Sequence, residues 1–224
     1  MRNVRLMFPL KVEFELTKKC NLSCNHCMIK NIEVESSHKE ELSTDEIKKT
    51  IDYLNKKNII EIQFTGGEPF FRKDLPDIAK YVDKKKIKVL ISSNGTIISE
   101  EVAKKLSSCN FLSVEISIDG DEKNHDNIRG NGSYNKAIRG IEILRRYRIP
   151  VMIETVVNKN NFVNIPFIYT LSKKLGAYRY VVHNLRLLGN AIENKDNLLP
   201  TIDQLIGVQN YLIQKSKNNG IQIK

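Results

Sequence analysis

Apolar and polar residues alternate along this chain with two different periods. Six short segments rich in Val and Ile predict β-strands, because buried parallel strands appear as nearly continuous apolar runs. These segments cover residues 11–16, 59–65, 87–93, 111–119, 149–157 and 178–188. The segments between them carry apolar residues three and four positions apart, which predicts amphipathic helices. The predicted helices cover residues 42–57, 73–85, 99–108, 132–148, 164–176 and 201–220.

Residues with a capping preference mark several ends of these helices. Ser43 with Glu46, and Thr201 with Gln204, have the spacing of a capping box at the start of a helix. Gly176 closes the fifth predicted helix, where glycine commonly adopts the left-handed conformation that ends it.

The order of the elements predicts the fold class. Six strand-then-helix units in succession indicate an α/β fold with a parallel sheet. Periodicity does not distinguish a sheet curled into a barrel from an open doubly wound sheet, but both place active-site residues at the carboxyl ends of the strands. We expect the polar segment 189–200 to be a loop. Residues 220–224 resemble the start of a strand or linker, so we expect more protein to follow in the native gene product.

Composition narrows the class of protein. At 41% hydrophobic and 28% charged residues, the chain has the balance of a globular domain. It has no apolar run near the ~18 residues of a membrane helix and no signal-peptide layout at its start, so we expect a cytoplasmic protein with reduced thiols. The net charge of +10 comes from scattered lysines, which favours a solvated surface over nucleic-acid binding. The alternative is a docking surface for an acidic electron carrier.

Three of the four cysteines lie close together after the first predicted strand. Cys20, Cys24 and Cys27 have the spacing Cys-x3-Cys-x2-Cys, whereas Cys109 lies far away. Three thiolates can hold a 4Fe–4S cluster and leave one iron open to a ligand that is not protein. Structural zinc needs four ligands, and only His38 or Cys109 could supply the fourth. The spacing therefore favours an iron–sulfur cluster over zinc or free thiols.

The second predicted strand ends in "GGEP". Gly66 and Gly67 would let the backbone approach a ligand closely, and Glu68 can accept hydrogen bonds from an amine. An ordinary glycine turn explains the glycines equally well.

The next two strands end in further polar residues. Asn94 lies in "SSNGT" after the third strand, and Ser117 lies near the end of the fourth. Arg129 follows in the glycine-rich loop "NIRGNGS", where its guanidinium could pair with a carboxylate. Since parallel strands end at one edge of the sheet, these residues indicate a single site.

Together these motifs resemble those of the radical SAM superfamily. The matching stretches are "CNLSCNHC", "GGEP", "SSNGT" and "SIDG…RGNGS", in that order, over about residues 12–188. The later motifs are similar to the branch of anaerobic sulfatase maturases and peptide-modifying enzymes with a C-terminal SPASM or Twitch auxiliary-cluster domain. The resemblance implies a partial (β/α)6 TIM-like barrel over residues 1–200. Residues 201–224 would then be a C-terminal helix and the start of a linker or truncated auxiliary domain.

The resemblance also implies the cofactors. A 4Fe–4S cluster would be held by Cys20, Cys24 and Cys27, and S-adenosylmethionine (SAM) would bind the open iron. The implied SAM contacts are Gly66, Gly67 and Glu68 for the amine, Arg129 for the carboxylate, Ser117 and Asn94 for the ribose, and Leu185 or Leu187 for the adenine.

The implied activity is a radical reaction. A low-potential donor of the ferredoxin or flavodoxin type would reduce the cluster, SAM would be cleaved to a 5′-deoxyadenosyl radical, and this radical would abstract hydrogen from a substrate. The branch favours a peptide or protein side chain as substrate. A radical SAM enzyme of small-molecule cofactor biosynthesis is the first alternative. A zinc-stabilised basic nucleic-acid-binding protein is a distant one, because it leaves "GGEP" and Arg129 unexplained. We expect no membrane partner.

Four other polar residues lie near these motifs. His26 replaces a residue that is often aromatic in the superfamily, and we expect it to be a neighbour of the cluster that hydrogen-bonds the backbone. Glu115, Glu154 and His183 lie on later strands, where each could contact substrate or be structural.

Overall fold

The computed structural model describes residues 10–30, 41–217 and 220–224. The strands in these ranges are β1 (Lys11–Thr17), β2 (Glu61–Gly66), β3 (Lys88–Ser93), β4 (Leu112–Ser117), β5 (Val151–Val157), β6 (Arg179–Asn184) and β7 (Gln222–Ile223). The α-helices are α1 (Thr44–Lys56), α2 (Leu75–Asp83), α3 (Glu100–Leu106), α4 (Glu122–Arg129), α5 (Ser133–Arg146), α6 (Ile165–Lys174), α7 (Asn190–Glu193), α8 (Lys195–Leu198) and α9 (Ile202–Ser216). None of the described helices is long and apolar enough to cross a membrane.

The strands form one parallel sheet that winds in a single direction. Each strand pairs with the next in the chain, from β1 at one edge to β7 at the other. A doubly wound sheet would reverse its order partway, so that alternative is wrong for this chain. The inner faces of β1 to β6 line one cavity of about 1380 Å³. The architecture is therefore the predicted partial (β/α)6 barrel.

The two faces of the strands differ in chemistry. Outward-facing residues such as Ile62, Ile91 and Ile153 are fully buried against the helices. The helices supply the predicted apolar faces, for example Ile47 and Ile51 of α1, to the same core. The inward-facing positions are largely polar, which makes the cavity wall suitable for cofactor and substrate contacts.

The predicted helix caps are confirmed. Ser43 with Glu46 forms a capping box on α1, and Thr201 with Gln204 forms one on α9. Gly176 follows α6 with a positive φ of 65°, the left-handed geometry that ends a helix there.

Two loop predictions are wrong. Arg129 ends helix α4 instead of lying in a loop; α4 is capped by the Asp121 side chain, which accepts from the backbone N–H of Asn124. The helix escaped prediction because its sequence is almost entirely polar and shows no apolar stripe. Segment 189–200 contains α7 and α8, each only four residues long, which is too short for a periodic signal.

The last helix and strand continue the fold. β7 pairs in parallel with β6, as the strand-like end of the sequence predicted. Val208 of α9 is buried in the common core, and Tyr211 contacts Tyr169 of α6 edge to face. The division of the chain after residue 200 stays a prediction.

Candidate active site

The three clustered cysteines lie on the loop that follows β1, at the carboxyl end of the barrel. All three are free thiols that line the central cavity; Cys20 is exposed, Cys24 is buried and Cys27 is intermediate. Cys109 is half-buried and packs against the hydrophobic core instead. His38, the other residue considered as a fourth ligand, lies outside the described residues. The described cavity wall therefore offers three thiols.

The electrostatics of the thiols are set by burial and by their neighbours. Burial raises the pKa of the Cys24 thiol to about 11, Arg129 acts in the opposite direction, and the thiols of Cys27 and Cys20 add to the rise. Only the thiolate form ligates metal, so cluster assembly releases these protons.

Residues at the end of β3 hold the first part of the cysteine loop. The Asn94 side chain donates to Asn21 Oδ1 at 3.1 Å and lies 3.8 Å from Cys20 Sγ. The Asn21 side chain in turn donates to Thr96 Oγ1 at 2.8 Å. Asn94 therefore lies beside the first cysteine, and its contact with the ribose stays a prediction.

The two glycines after β2 are required by close contact between backbones. The Gly67 N–H donates to Thr17 O at 2.7 Å, and the Glu68 N–H donates to Lys19 O at 2.8 Å. A Cβ on Gly67 would lie 2.2 Å from Lys19 O, and one on Gly66 would lie 2.4 Å from Thr17 O. The glycines thus allow β2 to run against the start of the cysteine loop, and both line the cavity.

Glu68 joins the ends of two strands. Its carboxylate is 0% exposed and accepts from the backbone N–H groups of Asn94 at 2.7 Å and Phe70 at 3.1 Å and from Ser93 Oγ at 2.8 Å. Burial raises the pKa of this carboxyl to about 7, against the opposing effect of these hydrogen bonds. The Glu68 side chain is not part of the described cavity wall, so its contact with the methionine amine stays a prediction.

Arg129 lies in a buried charged group beside the cysteines. Its Nε donates to Asp119 Oδ2 at 2.5 Å, and its Nη2 lies 3.3 Å from His26 Nε2. Burial lowers the pKa of His26 to about 4, so the ring is neutral. The predicted backbone hydrogen bond of His26 is wrong, because the side chain turns toward Arg129 and its Nδ1 has no partner among the described residues. The pair with Asp119 fixes one edge of a guanidinium that lines the cavity.

A chain of polar side chains crosses the inside of the barrel. Gln63 donates to Ser92 Oγ at 2.6 Å, and Ser92 Oγ donates to Glu115 Oε2 at 3.1 Å. Glu115, Glu154 and His183 then have ligating atoms within 4.8 Å of one another. Burial, and next the charge of Glu154, raise the pKa of Glu115 to about 8. Sequence analysis named these three residues separately; the structure brings them together.

Ser117 and Leu185 differ in how they meet the cavity. Ser117 Oγ lines the cavity and donates to Glu154 Oε1 at 2.6 Å. Leu185 follows β6 and is half-buried, but the cavity wall there is formed by its neighbours Asn184 and Arg186. The ribose contact of Ser117 and the adenine contact of Leu185 stay predictions.

Several residues that position the site were missed by sequence analysis. Asn25 donates from its backbone to Ile128 O at 2.9 Å and from its side chain to Asn127 O at 3.1 Å, which ties the cysteine loop to α4. Asn190 binds the other side of the loop. The only signal for Asn190 was the run of asparagines in segment 189–200, and nothing in that run says which backbone it meets.

The three cysteines follow the first strand of the barrel, the paired glycines the second and the buried arginine the fourth, which is the order of the motifs in the radical SAM resemblance. The family model described as the radical SAM superfamily matches residues 14–165, and this chain belongs to that superfamily. The family binds a 4Fe–4S cluster and SAM.

The chain is similar to several named proteins of about twice its length or less. An AdoMet-dependent heme synthase of Methanosarcina barkeri is 33% identical over 96% of this chain and 61% of its own length. The mycofactocin maturase MftC of Mycobacterium tuberculosis is 32% identical over 93% of this chain and 53% of its own length. The crystal structure of Streptococcus suis SuiB bound to S-adenosylmethionine has a TM-score of 0.82 at 16% identity, over 97% of this chain and 50% of SuiB. The chain thus spans about half to three fifths of the length of these proteins.

The residues present fit the family's cofactors. Three free thiols share one cavity with two glycines whose backbones are open to it. Nδ1 of His26, between Cys24 and Cys27, is a buried polar atom without a partner in the described part of the chain, and a cluster sulfide could accept its hydrogen bond. The cationic Arg129 beside the thiols suits a carboxylate ligand.

Proposed function

We propose that Cys20, Cys24 and Cys27 hold a 4Fe–4S cluster in this chain and that SAM binds its open iron. The observation that carries the proposal is the placement of three free thiols on one cavity loop while Cys109 is half-buried against the hydrophobic core. Four thiolates would close the cluster, whereas three leave one iron for SAM.

The chain's own groups fit the two charged ends of SAM's methionine moiety. Arg129 is held by Asp119 through Nε and contacts His26 through Nη2, which leaves Nη1 for the carboxylate. The carbonyl groups of Gly66 and Gly67, with Glu68 behind them, are proposed to accept from the amine.

The remaining contacts concern the nucleoside part of SAM. Asn94 and Ser117 are proposed to bind the ribose, since both line the cavity close to the cysteine loop and the inner polar chain. Leu185 is proposed to border the adenine.

When bound, the cluster and SAM supply one-electron reductive cleavage, which yields a 5′-deoxyadenosyl radical that abstracts hydrogen from substrate. The chain's contribution is to enclose this chemistry and to manage protons. The barrel wall surrounds the cavity on the sides of β1 to β6. Glu115 can hold a proton inside the barrel, next to Glu154, whose Oε1 accepts from Ser117.

We propose that the substrate is a peptide or protein side chain. Support comes from a PqqA peptide cyclase that is 30% identical over 88% of this chain, with the maturase as a further relative of similar identity. The cavity of about 1380 Å³ exceeds the ~300–1,000 Å³ of small-molecule pockets. It therefore has room for a cofactor and a peptide segment.

A tetrapyrrole substrate is the second candidate. It is favoured by the heme synthase relative and by a Fe-coproporphyrin III synthase that is 38% identical over 80% of this chain. An electron donor of the ferredoxin or flavodoxin type and a cytoplasmic location are also proposed. The net charge of +10 suits an acidic donor.

The test is anaerobic reconstitution with iron and sulfide, followed by reduction in the presence of SAM. We expect 5′-deoxyadenosine from the wild type and from Cys109→Ala, and none from Cys24→Ala. Equal cleavage by Cys24→Ala would overturn the site assignment. The substrate class is tested by incubating the reconstituted protein with Fe-coproporphyrin III or with the short peptides encoded beside its gene, and by measuring product mass.

A further inference from the structure

The segment that follows β6 is hydrogen-bonded to one side of the cysteine loop. This clasp segment, residues 189–194, donates three hydrogen bonds to backbone carbonyls of the loop. Asn190 donates from Nδ2 to Cys24 O at 3.0 Å and from its backbone N–H to Cys27 O at 2.9 Å. Asn194 donates from Nδ2 to Asn25 O at 3.3 Å. The carbonyl groups of two cluster-binding cysteines thus share one partner, Asn190.

A glycine makes this close contact between the two backbones possible. Gly189 has a positive φ of 54°, and a Cβ there would lie 2.4 Å from Lys30 O, 2.6 Å from Cys27 O and 2.7 Å from Met28 O. No side chain fits in that space without moving the loop backbone. Gly189 therefore lets the clasp segment lie directly against the end of the cysteine loop.

The Asn190 side chain is placed to position the loop and not to touch substrate. It is only 7% exposed and is absent from the described cavity wall, while Cys24 and Cys27 both line the cavity. One further hydrogen bond holds the backbone of Asn190, since Asn194 Nδ2 also donates to Asn190 O at 2.9 Å. Peptide groups next to the ligating sulfurs affect the stability and potential of an iron–sulfur cluster.

We propose that Asn190 is a positioning residue for the cluster: by fixing the peptide groups of Cys24 and Cys27 it sets how firmly the cluster is held and at what potential it is reduced. This inference rests on the proposed function, in which these cysteines are the ligands. It assigns a role in the iron–sulfur chemistry to a residue that follows the sixth strand, far from the cysteine motif in sequence.

The test compares Asn190→Ala and Asn190→Asp with the wild type. Aspartate keeps the size of asparagine but replaces its N–H donor with an acceptor that faces Cys24 O. Asn197→Ala is the matched control, because Asn197 is an exposed asparagine of α8, which directly follows the clasp segment. All four reconstituted proteins are measured for iron loss to a chelator, for reduction potential and for the EPR spectrum of the reduced cluster.

We expect both Asn190 variants to lose iron about tenfold faster, since a buried acceptor is left without its donor, and to show a shifted potential and EPR spectrum. Asn197→Ala should match the wild type. Wild-type values for Asn190→Asp would show that only side-chain volume matters, and an unchanged potential in both variants would show that Asn190 supports folding alone; either result overturns the inference. Failure of the wild type itself to assemble a cluster would instead overturn the proposed function.

Discussion

Replacing Glu115 by glutamine is expected to change how the stability of the protein depends on pH. Glu115 is 5% exposed, accepts from Ser92 Oγ, and contacts Glu154 inside the barrel. Burial and the neighbouring carboxylate raise its pKa from an ordinary value of 4.5 to about 8. The folded protein therefore keeps a proton on Glu115 at neutral pH, which the unfolded chain releases.

The sign of the effect follows from the proton count. Between about pH 4.5 and 8 the folded state binds more protons than the unfolded state, so the contribution of Glu115 to stability is fully present below this window and decreases as pH rises through it. One proton gives a slope of at most about 1.4 kcal/mol per pH unit. The whole window is then worth on the order of 5 kcal/mol as an upper limit. Glutamine cannot titrate, so Glu115→Gln should lack this decrease.

The assay is urea denaturation of the cofactor-free protein at about pH 5.5, 7 and 8.5. We expect Glu115→Gln to become more stable relative to the wild type at each step, because its free energy of unfolding lacks the decrease that the wild type shows. Glu142→Gln, on the exposed face of α5, should run parallel to the wild type. Parallel profiles for wild type and Glu115→Gln would refute the reasoning, because they would mean that Glu115 is ionised in the folded protein.

Two further changes test contacts behind the site, and a third serves as a control. Gly67→Ala should destabilise the protein by about 1–3 kcal/mol, because its Cβ would lie 2.2 Å from Lys19 O. Gly207 is exposed on α9, and a Cβ there would meet no other atom of the described residues within 4 Å. Gly207→Ala should therefore stabilise the protein by about 1 kcal/mol. Asp119→Ala should cost about 3–5 kcal/mol, because it leaves the buried Arg129 unpaired. Urea denaturation measures all three.

Wild-type stability in either variant would contradict the contact that the variant tests. An unaltered Gly67→Ala protein would show that the backbones of β2 and the cysteine loop can separate freely. An unaltered Asp119→Ala protein would show that Arg129 finds another anion or solvent.

The regular part of the fold could be predicted from periodicity. α1 and the parallel strands were found because their buried residues are apolar at fixed spacing, such as Ile47 and Ile51. α4 was missed because it is held by the Asp121 cap and by contacts of its few buried residues, His125, Ile128 and Arg129, within a polar sequence. Periodicity carries no signal where so few positions face the core.

The site could be predicted as far as its local motifs reach. Cys20, Cys24 and Cys27 lie together because they are close in sequence, and strand ends meet because the sheet is parallel. The contact of Asn190 with Cys24 could not be predicted, because it joins residues far apart in sequence through the exact course of the chain after β6. The adjacency of Glu115 and Glu154 depends in the same way on the register of β4 and β5.

The central claim is that one iron of the cluster lacks a protein ligand and binds SAM. Mössbauer spectroscopy of the protein reconstituted with iron-57 tests this most directly. We expect one iron site of the 4Fe–4S cluster to give a signal that differs from those of the other sites and that changes when SAM is added. A spectrum with equivalent iron sites that SAM leaves unchanged would contradict it.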